Sequence, residues 1–440
     1  MTVPRSPGSR SRALFRRAER VLAGGVDSPV RSFRAVGGSP VFFARGRGAF
    51  LFDVDGRRYL DLVGSWGANL LGNAPASVVR AVARTARRGL SFGAPSPLEH
   101  ELAEKIRAAV PEMERLRFVN SGTEATMSAV RLARGATGRS KVVMFAGGYH
   151  GHSDGLLARA GSGVATQALP GSAGVPASIV RETLVAPYND LDAVRRCFER
   201  WPDRIAAVLV EPVAGNMNVV PPEPGFLSGL SRLAHRHGAL VIADEVITGF
   251  RLRRGIAIGR WQGRADLVTL GKVIGGGLPI GAYGGSAALM AHVAPLGEVY
   301  QAGTLAGNPI AMAAGRAVLE ELSTERYRRL ERTSAFLERR LMMLAEEEGA
   351  APFRVQRVGS MLGLAFSAEP LRDEASARNV DRDRYARFFH AALEAGIALP
   401  PSPLETTFVS MAHSEREVDG ALPGFRSAFR ASRKRPGRVR

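Results

Sequence analysis

The chain has 440 residues, 45% hydrophobic and 23% charged, a length and composition that suit a globular protein with one large core and a smaller segment. It has no apolar run of about eighteen residues, and its N-terminal MTVPRSPGSRSRALFRR lacks the apolar stretch of a secretory leader, so a soluble, cytoplasmic protein with no membrane association is expected. The lone Cys197 excludes an internal disulfide and a Cys-based zinc site, and the net charge of +19 is spread along the chain with no zinc, helix-turn-helix or RNA-binding signature, so no specific nucleic-acid partner is expected.

In chain order, residues 1–60 read as an Arg-rich helix over Ser11–Leu22, a Gly/Pro loop (GGVDSPVRSF) and two strands, VFFARG and AFLFDVDG. Over 61–310, helical stretches such as SVVRAVARTARR and LEHELAEKIRAAV alternate with short apolar runs: RLRFVN, KVVMF, IAAVLVEPV, ALVIADEV and DLVTLG. That alternation predicts an α/β domain, a large and mostly parallel sheet with helices on both faces and ligands gathered at the carboxyl ends of its strands. Residues 311–425 begin with long helices and continue through VGSMLGLAFS, DRYARFFHAALEAG and LETTFVS, the pattern of a smaller α+β domain. The basic, apolar-poor residues 426–440 read as a disordered tail.

Four motifs fall at predicted strand ends. In FVNSGTEATMSAVRLAR a strand runs into Ser121-Gly122-Thr123 and a helix starts at once, offering backbone N–H groups and two hydroxyls to a phosphate; an ordinary capped helix would look the same. In VIADEVITGF, Asp244 and Glu245 put carboxylate at the rim, where burial demands a cationic partner such as a protonated ring nitrogen; no HExxH or carboxylate triad favours a metal. In LGKVIGGGLPIGAYGG, Lys272 stands among seven glycines although only four of the 60 basic residues are lysine. An amine can lose its proton and condense with a carbonyl, whereas a guanidinium stays charged. In FAGGYHGHSD, the spacing of His150 and His152 would suit a metal, but Tyr149 stacking on a flat ring is the favoured reading. Phosphate cradle, buried acid and amine on neighbouring strand ends are the parts that hold pyridoxal phosphate, with Asp244 keeping a proton on the ring nitrogen and Lys272 carrying protons between carbons.

These stretches, with SPVRSF, GSWG, AGSG, EPVAGNM and YQAGTLAGNP, resemble the class III, fold-type I pyridoxal-phosphate-dependent aminotransferases over most of the chain, and within them the aminomutase branch. The resemblance implies a large sheet domain and a small α+β domain made from the two chain ends, with residues 1–60 packing on 311–425. It implies pyridoxal 5'-phosphate, passing through its pyridoxamine form, and a homodimer with shared active sites. Lys272 would hold the cofactor covalently and Asp244 would pair its ring nitrogen. Ser121, Gly122, Thr123 and Thr304 of a partner subunit would hold the phosphate, while Tyr149, His150, Asn216 and Val246 would line the ring. The small-molecule substrate, an amino aldehyde with a carboxylate, would meet Arg31, Ser28, Trp66 and Glu405, with Ser162 in a Gly-rich loop that closes over the site. RLRRGIAIGRWQGRAD, LLGNAPAS and FAGGYHGH depart from the family's usual segments, so an aminotransferase with a different amino donor or acceptor is the alternative.

Overall fold

A computed structural model describes residues 8–159 and 169–433 of the chain. The described residues divide into two compact units, those within 76–324 with 372–374, and those within 8–75, 325–371 and 375–433.

The larger unit is built on a seven-stranded sheet: β1 (Arg115–Val119), β2 (Lys141–Phe145), β3 (Thr183–Ala186), β4 (Ile205–Val210), β5 (Leu240–Asp244), β6 (Leu267–Leu270) and β7 (Gly281–Gly285). Their spatial order is β1-β7-β6-β5-β4-β2-β3, and β7 runs antiparallel to both its neighbours while every other pair is parallel. Sheets covered on both faces use continuous apolar strands, and β4 is buried at all six positions. The helix Gly122–Thr137 crosses this sheet with small residues, Ala125, Ala129 and Ala133, packed among Val142, Leu209 and Ile242. The helix Pro309–Glu321, which the sequence assigns to the C-terminal domain, belongs to this unit. A Cβ at its Gly315 would collide with the carbonyl oxygen of Ile274, so the helix lies backbone-close behind the turn that follows β6.

The smaller unit joins both chain ends. Phe43–Arg47, Phe50–Asp53 and Arg58–Asp61 form an antiparallel run, and Ile397–Ala398 adds in parallel to the last of them. A second sheet orders Arg354–Val358, Met361–Ala365 and Thr407–Phe408. The N-terminal helix spans Ser9–Ala18 and ends, with Glu19 as its cap, earlier than the sequence suggests.

The start of the disordered tail at 426 is a correction. The helix Glu415–Arg433 continues through it, and Val418, Leu422, Phe425, Ala428, Phe429 and Ser432 are buried along one face. Phe429 meets Phe353 and Phe388 with ring centroids 4.9 Å apart in both cases. The arginines that made this stretch look solvated are paired: Arg426 and Arg430 reach the Glu348 carboxylate at 2.9 and 2.7 Å, and Arg433 donates to the Glu348 carbonyl. Residues 434–440 lie outside the described residues.

Candidate active site

The carboxyl ends of β1, β5 and β6 converge on a cavity of about 370 Å³ in the larger unit. Ser121, Gly122, Thr123, Tyr149, His150, Asn216, Asp244, Val246 and Lys272 all line it.

At one end the helix Gly122–Thr137 points its first turn into the cavity. Ser121, not Thr123, is the cap: its hydroxyl accepts from the Glu124 N–H at 3.1 Å, and the Glu124 carboxylate accepts from the Asn120 N–H at 2.7 Å. The first N–H groups of a helix have no intrahelical partner and favour an anion. Space is kept there by two glycines: a Cβ at Gly122 would lie 2.9 Å from Val246 Cγ1, and one at Gly281 would collide with the Ser121 carbonyl.

At the other end Asp244, only 5% exposed, closes β5. One carboxylate oxygen accepts from the Val246 N–H at 3.1 Å and the Thr269 hydroxyl at 3.3 Å; the other meets His150 Nδ1 at 2.6 Å. Burial opposes the imidazolium of His150, but the hydrogen bond and charge of Asp244, with the charge of Glu211, outweigh it and leave the pKa of His150 raised. His152 is exposed, so the two histidines do not form a pair of ligands.

Lys272 lines the same cavity, two residues beyond β6, with φ +43°, a left-handed conformation that costs a residue other than glycine roughly 1–2 kcal/mol. Strain of this kind collects at functional sites. Of the other described lysines, Lys105 pairs with Glu320, Lys141 is buried against the Trp201 ring while donating to the Arg181 carbonyl, and neither lines the cavity.

Residues 33–413 match the family described as aminotransferase class-III. The chain belongs to the class III aminotransferase family. A glutamate-1-semialdehyde 2,1-aminomutase of Roseiflexus castenholzii is 55% identical over 430 residues, covering 97% of this chain and 99% of that one. Among solved structures, an ω-transaminase from Sphaerobacter thermophilus has a TM-score of 0.91 at 32% identity, over 99% of this chain and 100% of that one. A glutamate-1-semialdehyde aminomutase from Pseudomonas aeruginosa, in complex with PMP, has a TM-score of 0.84 at 28% identity, over 96% of this chain and 94% of that one. The aminotransferase fold expected from the sequence, a mostly parallel sheet with a separate small α+β unit, is the one these proteins share.

The remaining expected residues belong to other segments of the chain. Arg31 is exposed in the short turn Pro29–Ser32, whose first hydrogen bond runs from the Arg31 N–H to the Ser28 carbonyl. Trp66 takes φ +56° beside Ser65 at +51°, and Glu405 is half-buried, its charge felt by the Tyr385 hydroxyl; all belong to the smaller unit. Thr304 is exposed in the larger unit and does not line the cavity. Ser162 lies outside the described residues.

Sequence reasoning missed Glu211 and misjudged Glu245. Glu211 also lines the cavity; its only local signal is an acid directly after a fully apolar strand. Glu245 turns away from the cavity and accepts from the Ala257 and Ile258 N–H groups at 2.7 and 2.8 Å and from the Thr248 hydroxyl, so it anchors the segment whose sequence departs from the family. Burial pushes its carboxyl up to about 7, against the lowering effect of these hydrogen bonds. Between its ordinary value of 4.5 and about 7 the folded chain keeps a proton that the unfolded chain has released, so stability falls as pH rises through this window and levels off above it. The loss is on the order of 3 kcal/mol. Glu245→Gln can keep all three contacts, accepting from the two N–H groups and donating to Thr248. It is expected to remove this slope, measured as thermal midpoint against pH for both proteins.

Proposed function

We propose that this protein moves an amino group within its substrate, converting glutamate-1-semialdehyde to 5-aminolevulinate through a diamine intermediate, with pyridoxal 5'-phosphate as cofactor. The observation that carries the reading is that Lys272 lines one cavity together with the first turn of the helix Gly122–Thr137 and the buried Asp244. Aminomutase relatives more than half identical over nearly the whole chain support the substrate.

The residues fit the cofactor: an anion-seeking helix terminus for its phosphate, a buried carboxylate for its ring nitrogen, and an amine for its aldehyde. Bound there, pyridoxal phosphate supplies a carbonyl that exchanges amines and a ring that withdraws electrons from the neighbouring C–H bond. Ser121, Gly122 and Thr123 would hold the phosphate, Tyr149 would cover the ring, and Asn216 and Val246 would bound it. Asp244 would hold a proton on the ring nitrogen. The Lys272 amine would anchor the group and serve as the base that takes a proton from one substrate carbon and returns it to another.

Arg31 is assigned to the substrate carboxylate, with Ser28, Trp66, Glu405 and Ser162 on the substrate side, by resemblance. Arg31→Ala is expected to raise KM by about tenfold or more with a smaller change in kcat, as loss of a charge-assisted hydrogen bond does. Unchanged steady-state kinetics would remove Arg31 from that role.

The protein acts in the cytoplasm as a homodimer in which Thr304 serves the partner's phosphate site. Exposed Leu90, Phe92, Tyr300 and Leu305 support this, since their two loops are tied by the Asn308 side-chain amide donating to the Leu90 carbonyl at 2.8 Å, and exposed apolar groups beside each other mark an interface. Among the described residues no helix is long and apolar enough to cross a membrane.

The test is to load the purified protein with pyridoxamine phosphate, add glutamate-1-semialdehyde with no other amine or oxo acid, and assay 5-aminolevulinate. Many turnovers per site are expected. A single turnover, rescued by an added amino donor, would make the protein a transaminase like its ω-transaminase structural relative.

A further inference from the structure

Glu211, directly after β4, is a buried carboxylate, 5% exposed, at the sheet rim. One of its oxygens accepts from the Tyr149 N–H at 3.0 Å; the other accepts from the Gly215 N–H at 3.0 Å and the Asn216 side-chain amide at 3.3 Å. Tyr149 and Asn216 come from different segments of the chain, yet both line the cavity and both are tied to this one side chain. All three partners are donors, and an ionised carboxylate only accepts. An amide in its place would set an NH₂ group against a donor.

Charge gives a second argument. The ionisable groups facing this corner are His150, Asp244 and Glu211, with Tyr188 behind, its hydroxyl donating to the Glu211 carbonyl at 3.0 Å, and Tyr149 and Lys272 on the cavity wall. A Cβ built on Gly148 would lie 3.3 Å from both Glu211 Oε1 and His150 Nε2, so these two atoms flank the same glycine while Nδ1 of His150 faces Asp244. An imidazolium beside Asp244 alone would cancel its charge and leave nothing for a cationic ring nitrogen. A second carboxylate on the far side of the imidazole restores one net negative charge.

Resting on the cofactor reading above, we propose that Glu211 is a positioning residue: it pins the Tyr149 and Asn216 segments to each other and holds the charge that keeps His150 protonated against Asp244. Burial, with the Asp244 charge added, leaves the Glu211 pKa raised, and attraction to His150 and the two backbone N–H groups are what hold it down. Ionised Glu211 and protonated His150 therefore support each other.

The test uses full-length protein labelled with ¹⁵N-histidine, in which the ring signals of His150 are assigned with His150→Gln. In the wild type His150 is expected to remain an imidazolium across about pH 6–8, and in Glu211→Gln to deprotonate within that range. The same variant is expected to bind pyridoxal phosphate about tenfold more weakly. At saturating cofactor, borohydride should still fix one pyridoxyl group to Lys272. A neutral His150 in the wild type at pH 7 overturns the proposal without any variant, as does a Glu211→Gln protein whose His150 titration and cofactor affinity both match the wild type. Failure of the wild type to acquire a pyridoxyl group at Lys272 would instead sink the cofactor reading itself.

Discussion

Lys272→Ala is expected to abolish amino transfer, lowering kcat by at least ~10³-fold, because in the proposed reaction one amine would serve both as covalent anchor and as the base that moves the proton. No other described lysine can replace it: Lys105 and Lys141 are engaged in contacts of their own, and neither lines the cavity. The fold should be spared. Lys272 is half-buried, and alanine meets the same left-handed backbone as lysine, so the change in stability should stay within about 0.5 kcal/mol. Steady-state assay, calorimetry and intact mass after borohydride treatment check the three parts separately. Full activity in the variant would remove Lys272 from the chemistry.

Asp244→Asn is the second large effect, an expected loss of at least ~10²-fold in kcat. Asparagine keeps the size of the side chain, and its oxygen can still accept from the Val246 N–H and the Thr269 hydroxyl. Its NH₂ group would donate to Nδ1 of His150, which then cannot carry a proton there. The site loses its anion and the neighbouring imidazolium together, while the anchor at Lys272 is untouched. The variant should therefore still take up one pyridoxyl group on borohydride treatment, yet turn over slowly. Wild-type kcat would show that the ring nitrogen needs no acid here.

The cavity was legible in the sequence to the extent that its residues are local. Ser121, Asp244 and Lys272 each stand within two residues of the end of an apolar strand, with Gly122 and Thr123 directly behind Ser121, and strand ends in a parallel sheet share one rim, so period and punctuation were enough to bring them together. Glu211 also follows such a strand, but its function depends on which N–H groups arrive from residues 149 and 215, and no pattern along the chain encodes that meeting. Glu245 failed for the opposite reason: it neighbours Asp244, and adjacent residues on a strand point to opposite sides. The helix Glu415–Arg433 shows apolar residues at helical spacing, but its arginines were counted as solvated when three of them converge on Glu348. For Arg31, Trp66 and Glu405 no local physics singles out a role, and their assignment rests on likeness to relatives.

The pairing of Ile397 with Leu60 sets an order of events during synthesis. The two residues lie 337 positions apart, a distance a ribosome covers in roughly 20–70 s at ordinary elongation rates. Throughout that interval the antiparallel run of Phe43–Arg47, Phe50–Asp53 and Arg58–Asp61 waits with one edge open, while all of residues 76–324 emerge and can collapse on their own sheet. Open edges invite pairing between nascent chains, and charge on the strand discourages it. Arg58 lies on the strand that carries this waiting edge and is exposed. One of the chain's many arginines thus guards an edge that exists only until the C-terminal residues arrive.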